Sequence, residues 1–158
     1  LTELRRLDLT ACGGVRDFSA LAGLPNLTSL GLPPQASTED LHMLRERGTL
    51  ANLTELNLVG CAGVTDLSPL AKLPNLRSLN LSYCGGLTNL DELAGLTSLE
   101  ELRVEGTTRR LKDAAFELHK LLPRCRVSGD HWRTRPGLSR LSLRESGAET
   151  AYFKRFGG

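Results

Sequence analysis

The chain has 158 residues, enough for one domain with a sizeable core; 34 of these residues are leucine, and isoleucine is absent. Charged residues make up 24% of the chain and the net charge is +2. No apolar run approaches the roughly 18 residues that span a bilayer. The four cysteines show neither CxxC pairs nor histidines at zinc-ligand spacing. Membrane-spanning, coiled-coil, collagen-like and disulfide-scaffold classes are therefore excluded, and the leucine excess indicates one packing environment repeated many times.

A motif of the form L-x-x-L-x-L-x-x-C recurs along the chain. It starts at Leu4, Leu53 and Leu76, and it recurs without the cysteine at Leu27 and Leu99. Successive starts lie 23 or 26 residues apart. The last two leucines of each copy alternate with other residues, which is the period of a short strand with one buried face. The five phased copies predict stacked parallel strands, because one strand this short is not stable alone.

The segment that follows each motif predicts a helix or a single helical turn. Ser68 before Pro69 is typical of an N-cap followed by the first helical residue, and Ser19 and Asp91 occupy the same place in other repeats. The repeat that starts at Leu27 has 26 residues, and a further 26 residues lead from Leu99 to Cys125; both of these repeats contain longer helical patterns. These two predicted helices cover residues 38–47 and 111–122.

The motifs resemble the leucine-rich repeat family over about Leu1 to Val127. The cysteine slot resembles the cysteine-containing class of repeats, and the run TDLSPLAKLPNL over 65–76 resembles the shorter, internalin-like bacterial class. The resemblance implies an α/β fold. It is a curved right-handed solenoid with a short-stranded parallel sheet on the concave side and short helices or helical turns on the convex side.

The two ends of the repeat array carry separate predictions. No polar capping helix precedes the first strand, so we expect more repeats or another domain before Leu1. The period fails after Val127, and residues 128–137 are expected to form a loop with Trp132 as an anchor. We expect a last strand over 138–143. Residues 128–158 form either a basic C-terminal cap, which we favour, or a loosely ordered end.

Cys12, Cys61 and Cys84 occupy the slot of the repeat that faces the interior turn. We expect buried thiols that bond to the loop backbone. A disulfide between Cys61 and Cys84 is the alternative, because stacked repeats lie about 4.7–5 Å apart.

The three histidines, His42, His119 and His131, are expected to be exposed to solvent. No pair of them has metal-ligand spacing, and no serine or cysteine has an evident base partner. The sequence therefore predicts neither a metal site, nor a cofactor, nor an enzyme.

The residues between the strand leucines form three rows across the predicted sheet. Their side chains are small, polar and of mixed sign, which suits a protein partner better than a phosphate backbone. We expect this concave face to bind a protein or a neighbouring domain of the same chain; a merely solvated sheet is the alternative. The candidate residues are Arg6, Asp8, Thr10, Ser29, Glu55, Asn57, Val59, Ser78, Asn80, Ser82, Tyr83, Glu101, Arg103 and Glu105.

Charge is distributed unevenly along the chain. Residues 1–108 have a net charge of −5 and residues 109–158 a net charge of +7. The basic part is a second candidate surface, for an acidic surface or a nucleic acid. A solvated end, or a complement to an acidic neighbouring domain, is favoured, and nucleic-acid binding is not expected. The arginines concerned are Arg109, Arg110, Arg124, Arg126, Arg133 and Arg135.

The run from Gly63 to Leu87 also resembles repeat arrays of high-GC, actinobacterial-type chains. Such arrays often follow a signal-transducing NACHT-type ATPase of the STAND class. This resemblance implies the cytoplasmic sensor or autoinhibitory part of an innate-immune-like, anti-phage defence protein, with the ATPase site outside these residues. A generic protein-interaction scaffold and a substrate-recruiting module of an effector enzyme are the alternatives. The domain that precedes Leu1 would distinguish them.

Overall fold

A computed structural model describes residues 3–130 and the backbone of residues 132 and 133. Its strands form one sheet in sequential order, and the first six are parallel. The sheet therefore grows by one strand per repeat, as the motif spacing predicts. The strands are β1 (Arg6–Asp8), β2 (Ser29–Gly31), β3 (Glu55–Asn57), β4 (Ser78–Asn80), β5 (Glu101–Arg103), β6 (Arg126–Gly129) and β7 (Trp132–Arg133).

One column of apolar side chains, the leucine column, runs through the centre of the sheet; its members are leucines except for the valine on β6. Each central residue pairs with the same position of the next repeat, so the register follows the motif without slippage. Burial of one such side chain stabilises the fold by about 1.5–3 kcal/mol. The first member is half-buried and all later members are buried. The column consists of Leu7, Leu30, Leu56, Leu79, Leu102 and Val127.

Within residues 3–130, two helices and three 3-10 turns return the chain on the opposite side of the core. Helix α1 covers Thr38–Glu46, and helix α2 covers Arg109–Leu121. Ser37 and Asp40 form a reciprocal capping box at the start of α1. Both predicted helices are confirmed, although α2 begins two residues earlier than expected because the Thr108 hydroxyl accepts the Leu111 N–H at 3.3 Å. The 3-10 turns are Ser19–Gly23, Ser68–Leu70 and Asp91–Gly95.

The predicted N-caps of the three turns are each wrong by one residue: the N-cap positions are Phe18, Leu67 and Leu90, and none of them makes a side-chain capping bond. Ser68 is itself the first residue of its turn, and its N–H donates to Oδ1 of Asp66 at 2.9 Å. A short acidic or amide side chain reaches the N–H two residues ahead more readily than a serine does. This bond and the Ser68 hydroxyl hold the pKa of Asp66 below its usual range. The other turns repeat the arrangement with Asp17 to Ser19 at 2.8 Å and Asn89 to Asp91 at 3.4 Å.

The cysteine slot is buried in the interior repeats and exposed in the first. The Cys61 Sγ lies 3.3 Å from the Pro33 carbonyl oxygen, and the Cys84 Sγ lies 3.0 Å from that of Leu58, so each thiol bonds to the loop of the preceding repeat. Burial raises the pKa of Cys61 to about 12 and that of Cys84 to about 11. The cysteines are free thiols. Cys12 is exposed, contrary to prediction, because within the described residues no repeat packs on the outer side of β1.

Two expectations for the later part of the chain change. β6 continues through Gly129 and pairs antiparallel with β7, so strand structure enters the segment 128–137 that was predicted as a loop. His119 is buried on α2, whereas it was predicted to be exposed. His42 is exposed on α1, as predicted. His131, the Trp132 side chain and the predicted strand 138–143 lie outside what the structure describes.

Candidate binding face on the concave sheet

The strand register brings the predicted concave residues into rows. The first row runs Arg6, Ser29, Glu55, Ser78 and Glu101, and the second runs Asp8, Gly31, Asn57, Asn80 and Arg103. A shallow depression of about 550 Å³ lies over the two rows. Because the backbone beneath is a paired sheet, these side chains project from a rigid support. The lining residues are Arg6, Leu7, Asp8, Ser29, Leu30, Gly31, Glu55, Leu56, Asn57, Ser78, Asn80 and Arg103.

One end of the depression is closed by an ion pair that crosses a strand. The Arg6 Nη2 on β1 lies 2.8 Å from Oε2 of Glu55 on β3, and the Ser29 hydroxyl on β2 donates to the same oxygen at 2.9 Å. Both bonds hold the pKa of Glu55 below its usual range. The two side chains are 72% and 49% exposed, so the pair adds at most about 1 kcal/mol to stability. Its main effect is to order the surface.

Two asparagines at the centre present fixed hydrogen-bond donors. The Oδ1 atom of Asn57 accepts the Val59 N–H at 3.1 Å, and the Oδ1 atom of Asn80 accepts the Ser82 N–H at 3.0 Å. A backbone N–H requires an oxygen as its acceptor, so these bonds settle which way each amide points. The Nδ2 groups are therefore directed away from the backbone. Asn57 and Asn80 are register partners on adjacent strands, so the donors stand side by side.

At the far end of the depression, the positive charge of Arg103 is balanced by the negative charge of Glu101. Both Nε and Nη2 of Arg103 lie 3.2 Å from the same carboxylate oxygen of Glu101, two residues earlier on β5. The first row, which contains Glu101, continues one strand further to Arg126, the register partner of Glu101 on β6. Arg126 therefore lies on the concave sheet. The basic composition of residues 109–158 predicts Arg126 at the basic end, whereas the strand register places it on the sheet.

The third row is less exposed than predicted; it consists of Thr10, Pro33, Val59, Ser82 and Glu105. Ser82 is buried, and its hydroxyl accepts the Glu105 N–H at 3.1 Å, so the prediction that it faces solvent is wrong. The hydroxyl stabilises the neighbouring repeat instead. Pro33 in the same row is also buried, whereas Thr10 and Val59 are half-buried and Glu105 is exposed. Tyr83 beside the row has a side chain that is 59% exposed.

Gly31 has a role in the floor of the depression that the sequence analysis missed. A Cβ at this position would lie 2.5 Å from Oδ1 of Asp8 and 3.0 Å from Cγ2 of Thr10. The Asp8 carboxylate accepts both the N–H and the hydroxyl of Thr10, at 2.9 and 2.7 Å, and these bonds hold its pKa below the usual range. The glycine leaves room for this cluster, because it carries no side chain.

The arginines of the predicted basic surface are divided between two elements. Arg109 and Arg110 are exposed at the start of α2, and Arg124 is exposed in the turn after it. Arg126 lies on the sheet, as described above. The side chain of Arg133 and the whole of Arg135 lie outside the described part of the chain. The described arginines of this set therefore lie on α2, in the turn after it and on the sheet, and their grouping into one binding surface stays a prediction.

Residues 3–130 contain neither a cluster of metal ligands nor a membrane-spanning helix. No three His, Cys, Asp or Glu side chains in this range stand close enough to hold a metal ion. No helix in the same range is both long and apolar enough to cross a bilayer.

Comparison with known proteins agrees with this architecture. Residues 51–94 match the family described as leucine-rich repeats in two copies. One similar solved structure is an internalin from Listeria monocytogenes, with 27% sequence identity and a TM-score of 0.61. The likeness covers 80% of this chain and 35% of the internalin chain. No curated protein sequence matches the chain. Repeat sequence, strand register and structural likeness together show that the chain is a leucine-rich-repeat α/β solenoid.

Proposed function

We propose that the concave sheet is a non-catalytic recognition surface for a protein, or for another domain of the same polypeptide. The observation that carries the proposal is the depression of about 550 Å³ floored by Asn57 and Asn80, whose amide donors have fixed orientations. Donors that are already ordered lose little conformational entropy when a partner binds. Leucine-rich repeats commonly mediate protein–protein contacts, which supports the same function.

The mixed charge of the face supports a protein partner over a nucleic acid. Arg6 and Arg103 are each engaged by a carboxylate, from Glu55 and Glu101 respectively. A surface that follows a phosphate backbone needs several free Lys or Arg side chains. The concave rows therefore suit a partner with its own polar pattern.

A charge-swap variant tests the proposal without altering the net charge. In Glu55→Lys/Arg103→Glu, the end that the Arg6–Glu55 pair keeps neutral becomes positive, and the end that the Arg103–Glu101 pair keeps neutral becomes negative. The matched control, Glu46→Lys/Arg47→Glu, makes the same swap at exposed positions around the end of α1. A partner identified by cross-linking to the unmodified chain should lose at least about tenfold in affinity for the concave variant and keep its affinity for the control. Unchanged binding to the concave variant would contradict the proposal.

We also propose a setting for this recognition surface: the cytoplasmic sensor or autoinhibitory part of a NACHT-type signalling ATPase in anti-phage defence. The resemblance of residues 63–87 to arrays that accompany such ATPases supports it. The coding sequence upstream of residue 1 tests it. A Walker phosphate loop is expected there; another catalytic domain would favour the recruiting module, and repeats alone would favour the scaffold. In an ATPase of this type, the concave charge swap should also change basal ATP hydrolysis, while the α1 swap should not.

A further inference from the structure

Tyr83 has a backbone conformation that its side chain disfavours. Its φ is +61°, in the left-handed region. Gly60 and Gly106, at the same position of the flanking repeats, have φ of +76° and +60°. The turn therefore requires a left-handed residue, and glycine adopts this conformation without the steric cost that a Cβ brings. An aromatic residue held in such a conformation is an outlier that suggests a function for its side chain.

The Tyr83 ring rests on the next repeat and remains accessible. A Cβ on Gly106 would overlap Cδ1 and Cε1 of the ring, so the ring packs against bare glycine backbone. The side chain is nevertheless 59% exposed. The ring is thus supported on one side and open to solvent on the other, beside the concave rows.

The backbone of an acidic residue, Glu105, is held next to Tyr83. The Tyr83 N–H donates to the Glu105 carbonyl oxygen at 2.7 Å, and the buried Ser82 hydroxyl accepts the Glu105 N–H at 3.1 Å. These bonds fix the Glu105 backbone alongside Tyr83. Glu105 is exposed, and none of the ion pairs found within residues 3–130 involves it.

In the described part of the chain, Asp130, unlike Glu105, takes part in an ion pair. The Oδ1 atom of Asp130 accepts the Gly106 N–H at 2.9 Å, and its other oxygen pairs with Lys112 at 2.7 Å. Asp130 thus serves the fold, by fixing the glycine under the ring. Glu105, whose backbone lies beside that of Tyr83, is exposed to solvent.

We propose that Tyr83 and Glu105 form a subsite for a cationic side chain, arginine or lysine, of the protein that the concave face binds; this rests on the proposed function. The ring face attracts a cation through its quadrupole, and the carboxylate pairs with the same charge. The net charge of −5 over residues 1–108 favours the approach of a basic segment.

Titration of the ¹⁵N-labelled chain with short peptides tests the subsite. The probe is the tripeptide acetyl-Gly-Arg-Gly-amide, and its neutral isostere contains citrulline in place of arginine. We expect the arginine peptide to shift the amide signals of Tyr83, Glu105 and Gly106 saturably, and to bind at least about fivefold more tightly than the citrulline peptide. Equal binding of the two peptides, tighter binding of a leucine analogue, or shifts confined to other residues would overturn the proposal.

Variants distinguish the contribution of the Tyr83 ring to peptide binding from any effect on folding. Tyr83→Gly restores the residue found in the flanking repeats, so it should fold and weaken arginine-peptide binding about fivefold. Tyr83→Phe keeps an aromatic face and should retain binding, whereas Glu105→Gln should weaken it about threefold. Glu46→Gln on α1 is the matched control and should change nothing. Unaltered binding by Tyr83→Gly would overturn the proposal.

The two proposals fail in distinguishable ways. If the swap of Glu55 and Arg103 abolishes partner binding while the arginine peptide does not reach Tyr83, the subsite is wrong and the concave recognition surface stands. If the peptide binds at Tyr83 and Glu105 while the swap leaves partner binding intact, the concave surface is wrong, and of the subsite only its affinity for a cation stands.

Discussion

The Nδ1 atom of His119 lies 3.0 Å from the carbonyl oxygen of Cys125, and this contact joins helix α2 to the start of β6. The carbonyl can only accept, so Nδ1 carries the proton. The other ring nitrogen, Nε2, is buried and makes no hydrogen bond within the described residues. Burial lowers the pKa of His119, and the bond to Cys125 only partly opposes this effect.

We expect stability to fall as the pH drops below about 6.5, the ordinary histidine pKa. Because the folded-state pKa is depressed, the unfolded chain takes up the proton first, so this contribution is complete above pH 6.5 and is lost toward the folded-state pKa. One proton limits the slope to about 1.4 kcal/mol per pH unit. The unfolding free energy, measured with urea between pH 7.5 and 5.5, should lose this pH dependence in His119→Leu. It should keep the dependence in His42→Gln.

The loss of unfolding free energy when a leucine of the column is replaced by alanine should depend strongly on the position of that leucine in the stack of repeats. Leu79→Ala should cost about 2–5 kcal/mol, because Leu79 is completely buried between two repeats. Leu7→Ala removes the same group from the same motif position and should cost less than half as much, because Leu7 is only half-buried. Chemical denaturation of both variants measures the difference. Equal losses would mean that Leu7 is as well packed as the interior leucines.

Gly85 and Gly86 provide a matched pair for testing the turn after β4. A Cβ on Gly86 would collide with the Ala62 carbonyl oxygen, which belongs to the backbone and cannot move aside cheaply. Gly86→Ala should therefore destabilise the protein by about 1–3 kcal/mol. A Cβ on Gly85 would meet nothing within 4 Å, so Gly85→Ala should be nearly neutral. Differential scanning calorimetry of the two variants would reveal the contrast.

Lys72 occupies a turn position that suits glycine. Ala71 has φ of −54° and ψ of 130°, Lys72 has φ of +64°, and the Leu73 N–H donates to the Leu70 carbonyl oxygen at 3.2 Å. These values describe a type II turn. Lys72→Gly should raise the unfolding free energy by about 0.5–1 kcal/mol, while the β-branched Lys72→Val should lower it by about 1–2 kcal/mol. Lys72→Arg is the control; destabilisation by glycine would refute this account of the turn.

The four cysteines should divide into two reactivity classes. Cys12 is exposed, whereas burial raises the pKa of Cys61 and Cys125 to about 12 and that of Cys84 to about 11. The thiolate is the reactive form, so Cys12 alone should react with a thiol reagent within minutes at pH 8. The other three should react only after unfolding. Cys12→Ser should remove the fast phase; fast reaction of that variant would contradict the burial of the other three.

The sequence was sufficient to predict strands, helices and rows wherever a repeat copied its neighbours. The spacing from Leu53 to Leu76 set the strand register, because side chains two residues apart point to the same face. The helical pattern over 38–47 also placed α1 within one residue of its observed bounds, Thr38–Glu46. Local patterns of this kind can be identified from residues that are close together in the sequence.

The tertiary structure decided which members of each row are available to a partner. Ser82, His119 and Cys12 were each misassigned, because the burial of a side chain depends on the repeats stacked on either side of it. The ion pair of Arg6 with Glu55 joins residues 49 positions apart. The Tyr83 ring similarly rests on Gly106 in the following repeat. The sequence by itself thus determined the period of the solenoid, whereas contacts between repeats, which no single repeat encodes, determined the surface on which specificity depends.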